Sequence, residues 1–323
     1  MNRNLVIGLG GRALGWTLLS FVAVAWFLAT VQPGQSLFVV GVAALTPWWS
    51  TLALGVGIVS IWRRKWSMVC VAGLLVCVSL ALIVPGWWPV SSATPPVGTW
   101  RLHIFDANVR YNNPSLRGIA AEIQSDSPQV VALEEISPSN IPSLLDSGVL
   151  SGYRWHLVEP LAGSGGFGLW SDIPMTGAQI WTVTDHQEVE ATLRPTAGPA
   201  INLLVVHTLA PRGPGQPGLW GEEMRQIATR VRETANPLII VGDLNATTQM
   251  KQFRKLSRGL HDAAGSAGEG WRMTWPRNVH IIPTLLRPDH LLYSSGLTVT
   301  GYRVGRGEGS DHRPLLVTLA RAA

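Results

Sequence analysis

"EGSDHRPLL", Glu308 to Leu316, sets an acid and a histidine side by side just before a short apolar segment near the end of the chain. Gly309 and Ser310 make a turn, and Asp311 with His312 would read as ordinary solvated turn residues if they stood alone. They do not stand alone. Working toward the N-terminus, polar residues recur at the ends of short apolar runs: Asp289 in "RPDHLLYS", Asp243 and Asn245 in "IIVGDLNAT", and His207 in "LLVVHTLAP". Glu134 and Glu135 follow in "VVALEEI", and Asn108 in "FDANVRYNN". Each has a plain structural reading: Asn108 shapes a turn, Asp243 with Asn245 forms an Asx turn or a helix N-cap, and His207 is a satisfied half-buried histidine. Six such places in one domain point instead to a shared site.

Around these residues the chain beyond Trp100 is rich in short strand-like runs, among them "RLHIF", "QVVAL", "INLLVV", "PLIIVG" and "PLLVTL", separated by turn residues. Helical periodicity is confined to Pro114–Gln124 and Gly218–Thr234. Many strands with few helices predict an α+β domain of packed sheets. The polar set is made of hard oxygen donors from Asn, Asp and Glu, with histidines beside them and no cysteine beyond Cys70 and Cys77. Such donors suit Mg²⁺ or Mn²⁺, and histidines near a phosphate held there can activate water or steady charge on its oxygens. Along a strand, alternation lets only one of Glu134 and Glu135 face such a site.

The order N, LxE, H, GDxN, D, SDH resembles that of the endonuclease/exonuclease/phosphatase family, the deoxyribonuclease I-like metal-dependent phosphoesterases that also include neutral sphingomyelinases. The resemblance covers nearly all of Thr99 to Leu319; "GDLN" and "SDH" are its most specific pieces, joined by "VVALEE", "GGFGLWSDIP" and "WRMTWP" followed by "PDHLL". It implies a four-layer α/β/β/α sandwich of two packed, mainly antiparallel sheets flanked by helices. It implies Glu135 as the principal metal ligand, with Asn108 and Asp311 close to the ion or its waters. His312 would be the general base, oriented by Asp289. Asp243 and Asn245 would position the attacking water and the scissile phosphate, and His207 would donate to a phosphate oxygen.

The first 96 residues are of another kind. They hold no Asp or Glu, and only Arg3, Arg12, Arg63, Arg64 and Lys65 carry charge. All twenty acids lie beyond them, balanced there by twenty basic residues, so the formal +5 of the chain belongs to its N-terminal part. A high pI is therefore no sign of nucleic-acid binding here. Three charge-free runs, about 13–31, 37–62 and 67–84, are each long enough for a hydrocarbon core of roughly 30 Å and predict three transmembrane helices within a membrane domain over 1–84. Pro47 marks a kink or a late start in the second. Arg3, Arg12 and "RRK" at 63–65 place the N-terminus and that loop in the cytoplasm, which leaves residues 100–323 outside. Reading Met1 to about Val31 as a signal peptide gives the same outcome. The N-terminal spans resemble those of membrane-anchored bacterial family members of the YafD type. "PGWWPVSSATPPVGT", 85–99, reads as a proline-rich linker.

These observations together predict a multi-pass, membrane-tethered, extracytoplasmic phosphodiesterase dependent on Mg²⁺ or Mn²⁺. Its expected partners are the lipid bilayer and a phosphodiester of a lipid or envelope headgroup, in the manner of a phospholipase C or sphingomyelinase; no protein partner is inferable. An extracytoplasmic endo- or exonuclease is the alternative, with "RQIATRVR" and "KQFRKLSR" as basic patches or, equally, as solvated helix faces. A non-catalytic binding module is the third reading, and it has no need for both GDxN and SDH. The loop "APRGPGQPGLW" after His207 either presents Leu219 and Trp220 as an apolar tip or buries Trp220 at a helix start.

Overall fold

Uninterrupted apolar sequence makes helices in the first part of the chain. The computed structural model describes residues 3–32, 36–89, 100–184, 186–235, 237–278 and 281–322. The chain divides between Pro85 and Gly86 into two units, with Thr248–Lys251 grouped with the first. The first unit contains α1 (Arg3–Val31), α2 (Leu37–Ala44), α3 (Thr46–Trp62) and α4 (Trp66–Ile83).

Three transmembrane helices are not what forms. Among the described residues only α1, through Gly10–Val31, is long and apolar enough to cross a membrane by itself. The expected second span is broken into α2 and α3, which meet at a 69° bend; counting that pair as one span brings the number to two. Pro47 is the cause, since it sits at the first turn of α3, where it lacks an amide donor and its ring excludes a preceding helical turn. The Trp49 indole then donates back to Val42 O at 3.0 Å across the bend. In the third run α4, Trp66–Ile83, has 18 residues and covers about 27 Å at 1.5 Å per residue, and its apolar part among the described residues, Trp66–Ala81, is shorter than a spanning helix. Of the expected linker, 90–99 lies outside the described residues, while Val84–Trp87 forms a 3-10 turn.

The second unit is built on period-two alternation. Its strands are β1 (Arg101–Asn108), β2 (Val130–Glu134), β3 (Trp155–Glu159), β4 (Phe167–Ser171), β5 (Met175–Val183), β6 (His186–Leu193), β7 (Ile201–Val205), β8 (Leu238–Asp243), β9 (Leu260–Asp262), β10 (Asp289–Ser294), β11 (Leu297–Val304) and β12 (Leu315–Arg321). They form two six-stranded sheets, ordered β11-β12-β1-β2-β4-β3 and β5-β6-β7-β8-β10-β9. Each sheet is mixed, with one parallel pair, β1 with β2 and β7 with β8, among antiparallel neighbours. On β1, Leu102 and Ile104 enter the core between the sheets, while Phe105 and Ala107 face the other way, onto a layer holding α5 (Arg117–Asp126) and α6 (Ile141–Leu145). On β6, Val189, Ala191 and Leu193 point inward, and Glu190 on the opposite face meets Arg230 of α7 (Gln216–Glu233) at 2.6 Å. The order of layers is helices, sheet, sheet, helix. Short α8 (Lys251–Leu256) and α9 (Ala263–Ser266) complete the described helices.

Pro217, Trp220, Met224, Ile227 and Val231 recur at intervals of three and four, so they form one buried stripe of α7. Trp220 belongs to that stripe: it is fully buried and its indole donates to Leu244 O at 3.1 Å. Of the expected apolar tip, only Leu219 is exposed.

Gly242, the glycine of "GDLN", has φ +133 in β8, and a Cβ there would lie 2.0 Å from Val206 O and 3.1 Å from the Glu134 carboxyl. Backbone conformation and space both demand glycine. We expect Gly242→Ala to cost at least about 2 kcal/mol, lowering the thermal midpoint of the full-length protein by roughly 4–8 °C. A melting curve followed by tryptophan fluorescence checks this, and an unchanged midpoint would contradict the account of β8.

Candidate active site

Every residue singled out in the sequence sits at or just beyond a strand end. β1 ends at Asn108 and, in parallel register, β2 ends at Glu134 opposite it. Strand alternation does not extend to Glu135: its φ of +61 turns the chain out of the strand. Glu134 therefore stays fully buried between the sheets while the Glu135 side chain, 14% exposed, reaches the site. Of the pair only Glu135 turns to the site, and it does so from beyond the strand end.

Asn108 ties the two sheets together. Its Nδ2 donates to Glu135 Oε1 at 2.9 Å and to Asp243 Oδ2, at the end of β8, at 3.2 Å. Its Oδ1 accepts from Arg110 N at 3.0 Å, and Tyr111 N donates to Glu135 Oε2 at 2.9 Å. Asp243 Oδ1 accepts from Asn245 N at 2.8 Å, which holds Asn245 at φ +45, and the Asn245 amide donates to Thr208 O at 2.8 Å.

Opposite Asp243 in the ladder stands Asp289, the first residue of β10. Its carboxylate accepts from His312 Nδ1 at 3.0 and 3.1 Å and from the Thr274 hydroxyl. Pro288, immediately before β10, does not disturb this contact. On the other side of the ring, His312 Nε2 lies 3.7 Å from Asp243 Oδ2. Ser310 locks the turn: its hydroxyl donates to Asn108 O at 2.7 Å and accepts from His312 N at 3.0 Å. Burial alone would lower the His312 pKa, but the carboxylates of Asp289 and Asp243 overcome it and push it up to about 10. Burial opposes ionisation of Asp289 too, yet His312 and Thr274 hold its carboxyl below the ordinary value.

His207 follows β7. Its Nδ1 donates to Ser164 O at 3.1 Å, and its Nε2 stands 3.7 Å from Glu135 Oε1 and 3.9 Å from Asp243 Oδ2. With Nδ1 fixed as a donor, Nε2 can also donate only when the ring carries both protons. Two carboxylates that the sequence did not single out fix the backbone here: Glu188 accepts from His207 N at 2.8 Å and Glu223 from Leu209 N at 2.7 Å. Glu223 also accepts from Thr184 and lies 2.8 Å from His186 Nδ1, joining α7 to β6 and to the loop after His207. The loop after β8 is held by His290, whose Nε2 donates to Ala246 O at 2.8 Å while its Nδ1 faces Arg287, itself paired in two bonds with Asp262 at 3.0 and 2.7 Å.

Beneath the site lie Asp106 and Glu134, both fully buried, with no N–H or hydroxyl donor at either carboxyl among the described residues. Burial raises both pKa values, and a proton held by Glu134 can be donated to Asp106. Neither stood out in the sequence as a buried acid, because alternation marks the face a residue takes and not how deep it lies.

Asp243, Asp289 and His312 offer ligand atoms within 4.8 Å of one another, so this group could hold a metal ion. Its geometry fits a proton better, since both ring nitrogens already face carboxylates. The expected set is only partly assembled: Asn108 and Glu135 are bonded, whereas Asp311 is reached by Trp275 Nε1 at 3.3 Å and lies 3.9 Å from Arg110 Nε. A hard divalent cation fits best at Glu135. Two carboxylates, Glu135 and Asp243, converge there on a single amide nitrogen, and among the described residues no Lys or Arg pairs with either.

Solved structures share this architecture. Zebrafish (D. rerio) TDP2, solved with a single-strand DNA product, is 19% identical with a TM-score of 0.57, over 68% of this chain and 98% of that one. TDP2 from Caenorhabditis elegans is 14% identical with a TM-score of 0.57, over 68% and 98%. An endonuclease/exonuclease/phosphatase protein of Beutenbergia cavernae is 17% identical with a TM-score of 0.53, over 69% and 72%. At these identities the likeness is one of fold. No curated protein sequence matches the chain. The family model for the endonuclease/exonuclease/phosphatase family matches residues 98–312, from just before β1 to the histidine of "SDH", and its members generally hydrolyse phosphodiester or phosphate ester bonds. The chain belongs to the endonuclease/exonuclease/phosphatase family.

Proposed function

We propose that the protein is a membrane-tethered phosphodiesterase, dependent on Mg²⁺ or Mn²⁺, that hydrolyses a phosphodiester of a lipid or envelope headgroup outside the cytoplasm. The observation that carries the catalytic part is His312 held between Asp289 and Asp243, beside the Asn108 bridge from Asp243 to Glu135. Asp289 fixes the proton on Nδ1, so Nε2 is the atom that can exchange a proton with water beside Asp243. In the resting site that nitrogen also carries a proton, given a pKa near 10, and His312 must lose it to act as a base. A divalent cation held by Glu135, with Asn108 and Asp311 near it, would supply positive charge to the phosphate and oppose that second proton. Asn108, Asn245 and His207 surround the place where a phosphate oxygen would gain charge, with His207 donating when doubly protonated.

The lipid reading is supported by apolar α1 and by the zero formal charge of the chain beyond residue 96. Tethering raises the effective concentration of membrane substrates without any new contact. One observation favours a nuclease: a protein of the same fold was solved with a single-strand DNA product. Against it, Arg225 and Arg230 of "RQIATRVR" are already engaged by Glu222 and Glu190. The orientation rests on parity. Arg12 lines one cavity with Arg63 and Lys65, so these charges share the cytoplasmic side; the catalytic unit then lies outside if α4 also crosses, whereas α1 and the α2–α3 pair alone would return it to the cytoplasm.

Glu135→Ala and His312→Ala should each lower metal-dependent hydrolysis of bis-p-nitrophenyl phosphate by at least about 100-fold while the protein stays folded. Folded variants with near-wild-type turnover would refute the assignment. Protease added to intact spheroplasts should digest the catalytic unit; protection until lysis would put it in the cytoplasm. Offered phosphodiester lipids in liposomes and plasmid DNA under matched Mg²⁺, the full-length protein should hydrolyse lipid. DNA cleavage that falls steeply as salt rises, with no lipid turnover, would select the nuclease.

A further inference from the structure

Apart from the catalytic cluster, a large cavity lies wholly within the first unit. It has a volume of about 860 Å³, in the range of small-molecule sites, and lies among α1, α3 and α4. Its two ends differ. Most of the wall is apolar, formed by side chains such as Leu14, Leu18, Leu52, Val56 and Val59. Arg12, Arg63 and Lys65 line it as well, with Ser60. The hollow exists because glycines face it: Gly55 lines the cavity, and a Cβ at Gly55 would meet nothing within 4 Å.

The three cations have no acid to answer them, since residues 1–96 contain no Asp or Glu, and none of the three takes part in an ion pair among the described residues. Three positive charges line one space, with Arg12 and Arg63 exposed at its opening and Lys65 half-buried, which suits an anion, while the apolar wall suits hydrocarbon. Leu14 and Val59, which line the cavity, remain 60% and 51% exposed, so the opening has apolar as well as charged sides. Water or a small soluble anion would satisfy the charges and leave that wall unmatched.

We propose that this cavity is a binding site for an anionic membrane lipid, with its phosphate headgroup on Arg12, Arg63 and Lys65 and an acyl chain between α1 and α3. The site is separate from the catalytic cluster and does not depend on what that cluster hydrolyses. It gives the N-terminal unit a selectivity for anionic bilayers that hydrophobicity alone would not confer.

The test is native mass spectrometry of the full-length protein released from detergent after equilibration with phosphatidylglycerol or phosphatidylcholine. One phosphatidylglycerol should be retained at least about tenfold better than phosphatidylcholine, the ratio expected when charge pairing adds to a shared apolar contribution. The triple variant Arg12→Gln, Arg63→Gln, Lys65→Gln should fall to the phosphatidylcholine level. Gly55→Leu, which fills the cavity and keeps the charges, should lose both lipids with helical circular dichroism unchanged. Equal retention of the two lipids, or wild-type retention of phosphatidylglycerol by the triple variant, would overturn the proposal. Loss in the triple variant with full retention in folded Gly55→Leu would also overturn it, because the headgroup would then bind without the cavity. Should Gly55→Leu not fold, the triple variant alone decides.

Discussion

Negative charge confined between two sheets is the constraint on which the catalytic unit depends. Face-to-face packing brings Asp106, Glu134 and Glu135 from one sheet against Asp243 and Asp289 from the other, at a depth where an isolated carboxylate is strongly disfavoured. Each is resolved differently. Asp289 finds the His312 imidazolium and Thr274, Asp243 and Glu135 share the Asn108 amide, and burial raises the pKa values of Asp106 and Glu134, where a proton on Glu134 can be donated to Asp106. The position of His312 follows from this, and so does the room for an added positive charge beside Glu135, whose carboxylate no Lys or Arg answers among the described residues.

Much of this was legible in the sequence because the site uses strand ends. A polar residue ending an apolar run is visible without any tertiary information, and Asn108, His207, Asp243, Asp289 and His312 were all found so. The supporting residues were not legible for an equally physical reason. Glu188 and Glu223 act on backbone amides of residues far along the chain, and Ser310 works through the carbonyl of Asn108. Nothing in the local pattern of an acid on a helix or strand tells whether its partner is water or a distant N–H group. The glutamate pair shows the other limit, since Glu135 lies past the strand end at a positive φ where alternation no longer sets direction, and its choice over Glu134 came from the resemblance.

The helical unit was misjudged by length. Hydropathy counts residues in a run, whereas spanning requires them in one continuous helix, and Pro47 separates 37–62 into two pieces. The same composition that suggested three crossings does report the charge asymmetry faithfully. That asymmetry survives the change in helix number, because it depends on which residues are present and not on how the helices are joined.

The pair Asp106 and Glu134 also has a thermodynamic consequence. A carboxyl whose pKa is raised by folding adds stability in full below its unfolded value and loses it as pH rises through the folded value. Between the unfolded and the raised folded values, an unfolded chain ionises these groups more readily, so unfolding releases protons to the solvent and folding takes them up. Within that pH window the apparent heat of unfolding should vary with the ionisation enthalpy of the buffer, a calorimetric signature of acids buried beneath a site that gathers charge.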